Sequence, residues 1–167
     1  PTAQDVALEK HGLTVEPPDR IATLPADHFD VITLWHVLEH VAALHDTVEH
    51  LTRTLAPSGT LVVAVPNCAS LDAQFYGEHW AGYDVPRHLS HFRPRDVRRL
   101  FDRHGLTVEA VRPMRLDAFY VSLLSEGYCD GWLPRAPLVA LGSTLWAARH
   151  KHRSSAQLYL IRHDETP

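Results

Sequence analysis

The apolar positions of the chain follow two periods. Val41, Leu44, Val48, Leu51 and Leu55 step by 3, 4, 3 and 4, which is the stripe of a helix lying on a core. Phe29 to Trp35 and Thr60 to Val65 are instead nearly continuous β-branched and apolar runs. They read as strands buried on both faces, as in a parallel sheet. Pro57-Ser58-Gly59 ends the helix and Pro66-Asn67 closes the second strand. Strand, helix and strand with short joins predict a parallel crossover. Upstream, Ala3 to His11 predicts a short helix stopped by Gly12, and Leu13-Thr14-Val15 a short strand. Pro17-Pro18-Asp19 and Pro25-Ala26-Asp27 are turn material.

Downstream, Pro94 stands at the favoured first position of a helix whose apolar face is Val97, Leu100 and Phe101, with Gly105 as its stop. Leu106 to Arg112 and Gln157 to Arg162 predict two further strands. Between the second strand and this helix, Cys68 to Phe92 shows no period and predicts a long loop with a helical turn. Loops of that length inside a compact domain usually serve function. Asp117 to Arg153 predicts two helices or a helical hairpin, followed by the basic run Arg149 to Arg153. Its apolar stretch, Ala136 to Ala148, falls short of the roughly 20 residues that a spanning helix needs.

Composition narrows the class. A chain of 167 residues is the size of one domain, and 45% apolar with 22% charged residues is ordinary for a globular fold. The net charge of −4 argues against a nucleic-acid partner, which selects a basic surplus. Two cysteines, Cys68 and Cys129, exclude a disulfide framework and a Cys-rich zinc module. With no basic-then-apolar leader, they give a cytoplasmic location as the expectation. The 13 histidines are scattered, and most are expected to be surface residues.

In an open parallel sheet, ligands sit at the carboxyl ends of the strands. Two such ends are visible, Leu34-Trp35-His36-Val37-Leu38-Glu39-His40 and Val65-Pro66-Asn67. His36-Val37-Leu38-Glu39-His40 also matches H-x-x-E-H, an inverted zinc-protease pattern. That chemistry needs a helix, so that two histidines four residues apart share one face. Here the motif follows a strand directly, and the favoured alternative is that Leu38 packs while the polar residues cap or line a cleft. A second cluster runs from Trp80 to Phe92 and mixes aromatic residues, Arg87, His88, His91 and Asp84. Flat apolar walls with a few oriented polar groups suit a loop over a substrate. An imidazole can take a proton near neutral pH, which makes His88 and His91 the candidate proton acceptors. The alternative is that Asp84 pairs with Arg87 while the two histidines brace the loop.

The segment from Phe29 to Val41, F-D-V-I-T-L-W-H-V-L-E-H-V, resembles the fourth-strand region of class I S-adenosylmethionine-dependent methyltransferases. The resemblance is closest to the small-molecule group near the ubiquinone-biosynthesis O-methyltransferases. Leu55-Ala56-Pro57-Ser58-Gly59-Thr60-Leu61 resembles that group's L-x-P-G-G-x-L turn, and Val65-Pro66-Asn67 its fifth-strand end. Pro86-Arg87-His88-Leu89 with His91-Phe92 is similar to the P-R-H-L-x-H-F segment of one branch, and Pro94 to Gly105 to the helix after it. The likeness covers residues 1–112 well and 157–163 loosely. The family's glycine-rich first loop and the acid that binds the ribose have no counterpart here, and Arg93 replaces a Thr-type helix cap.

The resemblance implies an α/β fold, a Rossmann-like methyltransferase sheet incomplete at the N-terminus, with a helical insertion before the last strand. Residues 1–167 then form one partial domain, with 117–153 an insertion or lid. In the family the strands matching 29–34 and 60–65 are parallel neighbours and the last runs antiparallel, inserted between the fifth and sixth. The implied activity is methyl transfer from S-adenosylmethionine to a small-molecule acceptor, with no metal required. Trp35, His36, Glu39, His40 and Asp19 are the implied cofactor contacts, Asn67, Trp80 and Arg87 the acceptor contacts, and His88 and His91 the catalytic candidates. Two alternatives stand beside this, a zinc hydrolase built on His36, Glu39 and His40, and a non-catalytic scaffold of the same fold. For 132–153, flanked by Trp132 and Trp146, the alternatives are a lid over the acceptor and a peripheral membrane contact.

Overall fold

The structure is a computed structural model and describes residues 2–164. The outermost residues of the expected domain, 1 and 165–167, lie outside the described part. Four strands form one sheet: β1 (Phe29–Trp35), β2 (Leu55–Pro66), β3 (Leu106–Met114) and β4 (Ala156–His163). Their order is β1-β2-β4-β3. β1 and β2 are parallel, and β4 runs antiparallel to both β2 and β3. The last strand is therefore inserted inside the sheet, as the sequence resemblance implies.

Six α-helices accompany the sheet: α1 (Ala3–His11), α2 (Leu44–Thr54), α3 (Leu71–Tyr76), α4 (Pro94–Asp102), α5 (Asp117–Tyr128) and α6 (Ala136–Arg149). α2 and α4 cover one face of the sheet. Val48 and Leu51 of α2, and Val97, Leu100 and Phe101 of α4, join one core with Leu61 and Val63 of β2 and with Tyr159 and Ile161 of β4. The register explains this set, since Leu61 pairs with Ile161 and Val63 with Tyr159, and alternate residues point the same way. The intervening pair Val62 and Leu160 points to the opposite face and is less buried.

Several expectations are corrected. β1 is not buried on both faces. Val31, Thr33 and Trp35 are exposed, because among the described residues no element covers that face or pairs with the outer edge of β1. Leu13 to Val15 forms no strand. The helical stripe is cut at both ends: Val41 lies before α2, and Leu55 already begins β2. Pro57-Ser58-Gly59 does not separate the two elements. It forms a bulge inside β2, where the register jumps from Phe29–Leu55 to Val31–Thr60. Gly59 is required there, since a Cβ would stand 2.8 Å from the Leu55 side chain and 3.0 Å from the Phe29 carbonyl oxygen. The segment 68–92 is more helical than the absence of a period suggested. Ser70 caps α3 by accepting from the Ala73 backbone N–H at 3.2 Å, and short 3-10 turns follow at Gly77–His79 and Ala81–Tyr83.

One buried carboxyl group joins the sheet to the helical pair α5–α6. Asp72 is fully buried and accepts from Trp80 Nε1 at 2.8 Å, from Ser143 Oγ at 2.6 Å and from Ser155 Oγ at 2.6 Å. Those donors sit on the 68–92 segment, on α6 and at the start of β4. Replacing Asp72 by Ala strands three buried donors at once and is expected to cost about 3 kcal/mol of stability. Asp19→Ala, at an exposed position, should cost within about 0.5 kcal/mol. Urea unfolding midpoints of the two variants check the contrast.

A candidate active site at the strand ends

β1, β2 and β3 are mutually aligned and end at one edge of the sheet, and β4 begins there, with Ala156 paired to both Pro66 and Met114. A cavity of about 590 Å³ opens at that edge. His36 and Glu39 line it from the end of β1, Arg87 and His88 from the 68–92 segment, and Asp117 and Tyr120 from α5.

His36 leaves β1 with φ of 52°, a left-handed conformation that non-glycine residues adopt infrequently. The bend leads into a 3-10 turn, Leu38–His40, that buries Leu38 and Glu39. H-x-x-E-H therefore lies across a strand end and a single tight turn. His36 and His40 do not share a helical face, and the zinc-hydrolase arrangement expected as an alternative is not formed. Leu38 packs into the main core, as the structural alternative held.

The His36 imidazole lies between two carboxylates, with Nδ1 3.3 Å from Glu39 Oε1 and Nε2 3.4 Å from Asp117 Oδ2. Those oxygens have no aligned hydrogen-bond donor, and Glu39 is only 1% exposed, so the imidazolium is their main compensation. The pKa of His36 rises accordingly from 6.5 to about 9, first through contact with Asp117 and then with Glu39. At neutral pH it carries a proton and is not available as a base.

His88 is set up differently. Its Nδ1 lies 2.9 Å from the Gly82 carbonyl oxygen. A carbonyl only accepts, so Nδ1 carries a hydrogen and Nε2 is the nitrogen left without a hydrogen-bond partner among the described residues. The Nε2–Asp84 Oδ2 distance of 3.9 Å is too long for a hydrogen bond. His40 is held by the same logic, its Nδ1 donating to the Arg87 carbonyl oxygen at 3.0 Å. The loop is also tied down through its backbone, since Leu89 and Ser90 N–H both donate to the Glu39 carbonyl oxygen at 2.8 and 3.1 Å. One ligand atom each from Glu39, His40 and His88 lie within 4.8 Å of one another, which makes this the group among the described residues that could hold a metal ion.

The other expected site residues lie elsewhere. Asn67 is buried and committed: its Nδ2 donates to the His152 and Ser154 carbonyl oxygens, and its Oδ1 accepts from the Ala69 N–H. Trp80 is buried under the loop with its indole N–H on Asp72. His91 donates from Nε2 to the Tyr83 carbonyl oxygen at 2.9 Å, away from the main cavity. Trp35 is half exposed at the end of β1, and Asp19 is exposed on the 3-10 turn Pro18–Thr23. Arg87 reaches the cavity mouth paired with Asp84. Sequence reasoning missed Asp117, Tyr120 and Tyr128, which α5 brings to the cavity from a distant part of the chain. The aspartate opening a predicted helix was the one local signal.

A family model described as a methyltransferase domain matches residues 3–111. Solved structures of similar fold include the [4+2]-cyclase SpnF, at 16% identity and a TM-score of 0.58, covering 97% of this chain and 62% of that one. A sarcosine dimethylglycine methyltransferase from Galdieria sulphuraria matches at 13% identity and 0.58, covering 95% and 63%. A SAM-dependent methyltransferase from Archaeoglobus fulgidus matches at 14% and 0.55, covering 96% and 72%. No curated protein sequence matches significantly. The chain thus spans 62% of SpnF's length, and identities this low establish the fold alone.

The His36 contacts set a pH dependence. Its folded pKa lies above its ordinary 6.5, so the stabilisation is complete below about pH 6.5 and is lost as pH rises through about 9. The denaturation midpoint should fall across that interval. Asp117→Asn, which removes the largest cause, should flatten the fall and return the imidazole titration seen by NMR toward 6.5.

Proposed function

This chain belongs to the methyltransferase domain family, and on that premise we propose that it forms the acceptor side of a methyltransferase using S-adenosylmethionine. The observation that carries the reading is the cavity at the strand ends. It offers a free imidazole nitrogen on His88, a charge-compensated floor at His36, Glu39 and Asp117, and an aromatic wall at Tyr120 and Tyr128. Its volume of about 590 Å³ lies in the range of small-molecule sites.

The residues at the end of β1 fit one side of the cofactor. Trp35 and Val37 present half-exposed apolar surface there, beside the His36 bend. They face what an adenosyl group and a thioether chain need covered. Bound there, the cofactor supplies a methyl group already activated by a sulfonium. The chain's own work is positioning and proton removal. His88 Nε2 takes the proton from an acceptor hydroxyl or amine, while its Nδ1–H holds the ring on Gly82. Arg87 stands at the mouth and closes it with Asp84. His36 stays protonated and keeps the Glu39 and Asp117 carboxylates from repelling each other.

The acceptor we propose is a small molecule with an apolar part for the Tyr120–Leu124–Tyr128 wall. A net charge of −4 supports this over nucleic acid. In this reading, residues 117–153 are a lid within one partial domain, because α5 forms part of the cavity wall. We place the protein in the cytoplasm, on the support of its two free thiols. No helix among the described residues is long and apolar enough to cross a membrane.

Two measurements test the reading. In the full-length protein, transfer of a labelled methyl from S-adenosylmethionine should fall by about 10²–10⁴ in kcat for His88→Gln and by less than about tenfold for His91→Ala. Equal losses for both would remove His88 from its role. Calorimetric titration of S-adenosylmethionine into the 167-residue chain should show no tight binding, since no glycine-rich loop is present to hold the amino acid part. Micromolar affinity would overturn the view of the chain as the acceptor side only.

A further inference from the structure

The helical pair α5–α6 is built inside out for a helix pair facing water. α5 buries Ala118, Ser122, Ser125 and Glu126, and α6 buries Ala136, Ala140 and Ser143. The large apolar side chains point the other way. Phe119, Leu123 and Leu124 of α5, and Leu138, Leu141 and Leu145 of α6, are all exposed. In a water-facing amphipathic helix, leucines turn to the core and serines to solvent. Small residues inside and large apolar residues outside is the arrangement of helices that pack against each other and face lipid.

The inversion is held by specific contacts. Glu126 is buried under a hydrogen bond from Tyr76 at 2.8 Å and an ion pair with Arg135 at 2.8 Å. Ser143 donates to Asp72, and Ser125 accepts from the Ala81 N–H at 2.8 Å. The polar groups of the pair are thus consumed inward, and rotation of either helix would strand buried carboxylates.

Charge distinguishes among occupants. From Trp146 to Arg153 there is no acidic residue, while Arg149, Lys151 and Arg153 follow the apolar face directly. Arg112 lines the same groove as Lys151 and Arg153; the carboxylate in that lining, Glu109, pairs with Arg162, and none of these four cations has a carboxylate within ion-pair distance among the described residues. In a chain with net charge −4, this is a local positive edge beside an apolar face. Trp132 and Trp146, both exposed, stand at the two ends of α6, where aromatic residues settle at a membrane interface. A second copy of the chain fits less well, because a two-fold pairing brings the same face from both copies and the 146–153 edge carries no acidic residue to offer its partner.

We propose that the α5–α6 pair docks on an anionic lipid surface, lying in the headgroup region without crossing the bilayer. The α5 face that meets lipid adjoins the one that lines the cavity, where Leu124 takes part in both. An amphiphilic acceptor would then reach the cavity along α5 without entering water. This goes beyond the assignment of methyl transfer and does not depend on it.

Flotation of the 167-residue chain with vesicles tests the proposal. The chain should float with phosphatidylcholine vesicles containing phosphatidylglycerol, float less with phosphatidylcholine alone, and be released by high salt. Leu141→Glu and Leu145→Glu, both at exposed positions, should each lower partitioning at least about tenfold. Lys151→Glu should lower it about fivefold on the anionic vesicles only. A chain that stays at the bottom at low salt overturns the proposal. So does a dimer in analytical ultracentrifugation that Leu141→Glu dissociates while vesicles bind neither form. Near-UV circular dichroism of each variant, matching the parent, separates lost docking from lost folding.

Discussion

The antiparallel insertion of β4 between β2 and β3 is the constraint on which the rest depends. Because β4 runs against its neighbours, it must start at the edge where they end. Whatever connects β3 to β4 is therefore held over the carboxyl ends of the parallel strands. A parallel last strand would have begun at the opposite edge and carried the connection away from the site. The α5–α6 pair owes its position over the cavity to this one reversal. Its anchor is equally specific: Asn67, just past the end of β2, donates from its amide to the carbonyl oxygens of His152 and Ser154 just before β4.

The site that results combines two kinds of imidazole. His36 is locked between carboxylates and stays charged, while His88 is oriented by a carbonyl on Nδ1 and has no partner on Nε2. The difference comes only from what each Nδ1 and Nε2 meets. A carboxylate on both sides favours the proton; a single backbone carbonyl fixes only which nitrogen carries the hydrogen. The loop that carries His88 is secured to the β1 turn by two N–H donors onto one carbonyl, that of Glu39. The buried Glu39 thereby serves the cavity with its side chain and the loop with its backbone.

The helices over the cavity follow a different economy from the sheet. Around β2 and β4 the large apolar residues point inward and α2 and α4 cover them. In α5–α6 the inward positions hold alanine, serine, Val121, Val139 and two carboxylate-centred networks, and the leucines face out. Both regimes obey the same rule that buried polar groups must be paired. They differ in which side of each helix can find partners.

The sequence by itself determined the elements of strong period and the family. The runs at Phe29 to Trp35 and Thr60 to Val65, the stripe from Leu44 to Leu51 and the proline-led helix at Pro94 all form where local pattern places them, because each buries a face that its own spacing defines. The strand-end motif likewise marked His36, Glu39 and His40 before any contact was known. What only the tertiary structure decided rests on distant partners. Trp80 and Asn67 look like ligands for an acceptor in sequence, yet Asp72 and the chain before β4 take their polar groups. Asp117, far along the chain from His36, meets it because α5 crosses the strand ends. The one-sided burial of β1, and the outward leucines of α6, also lie beyond local pattern. An apolar run states that a residue avoids water, but not whether a neighbour within this chain will cover it.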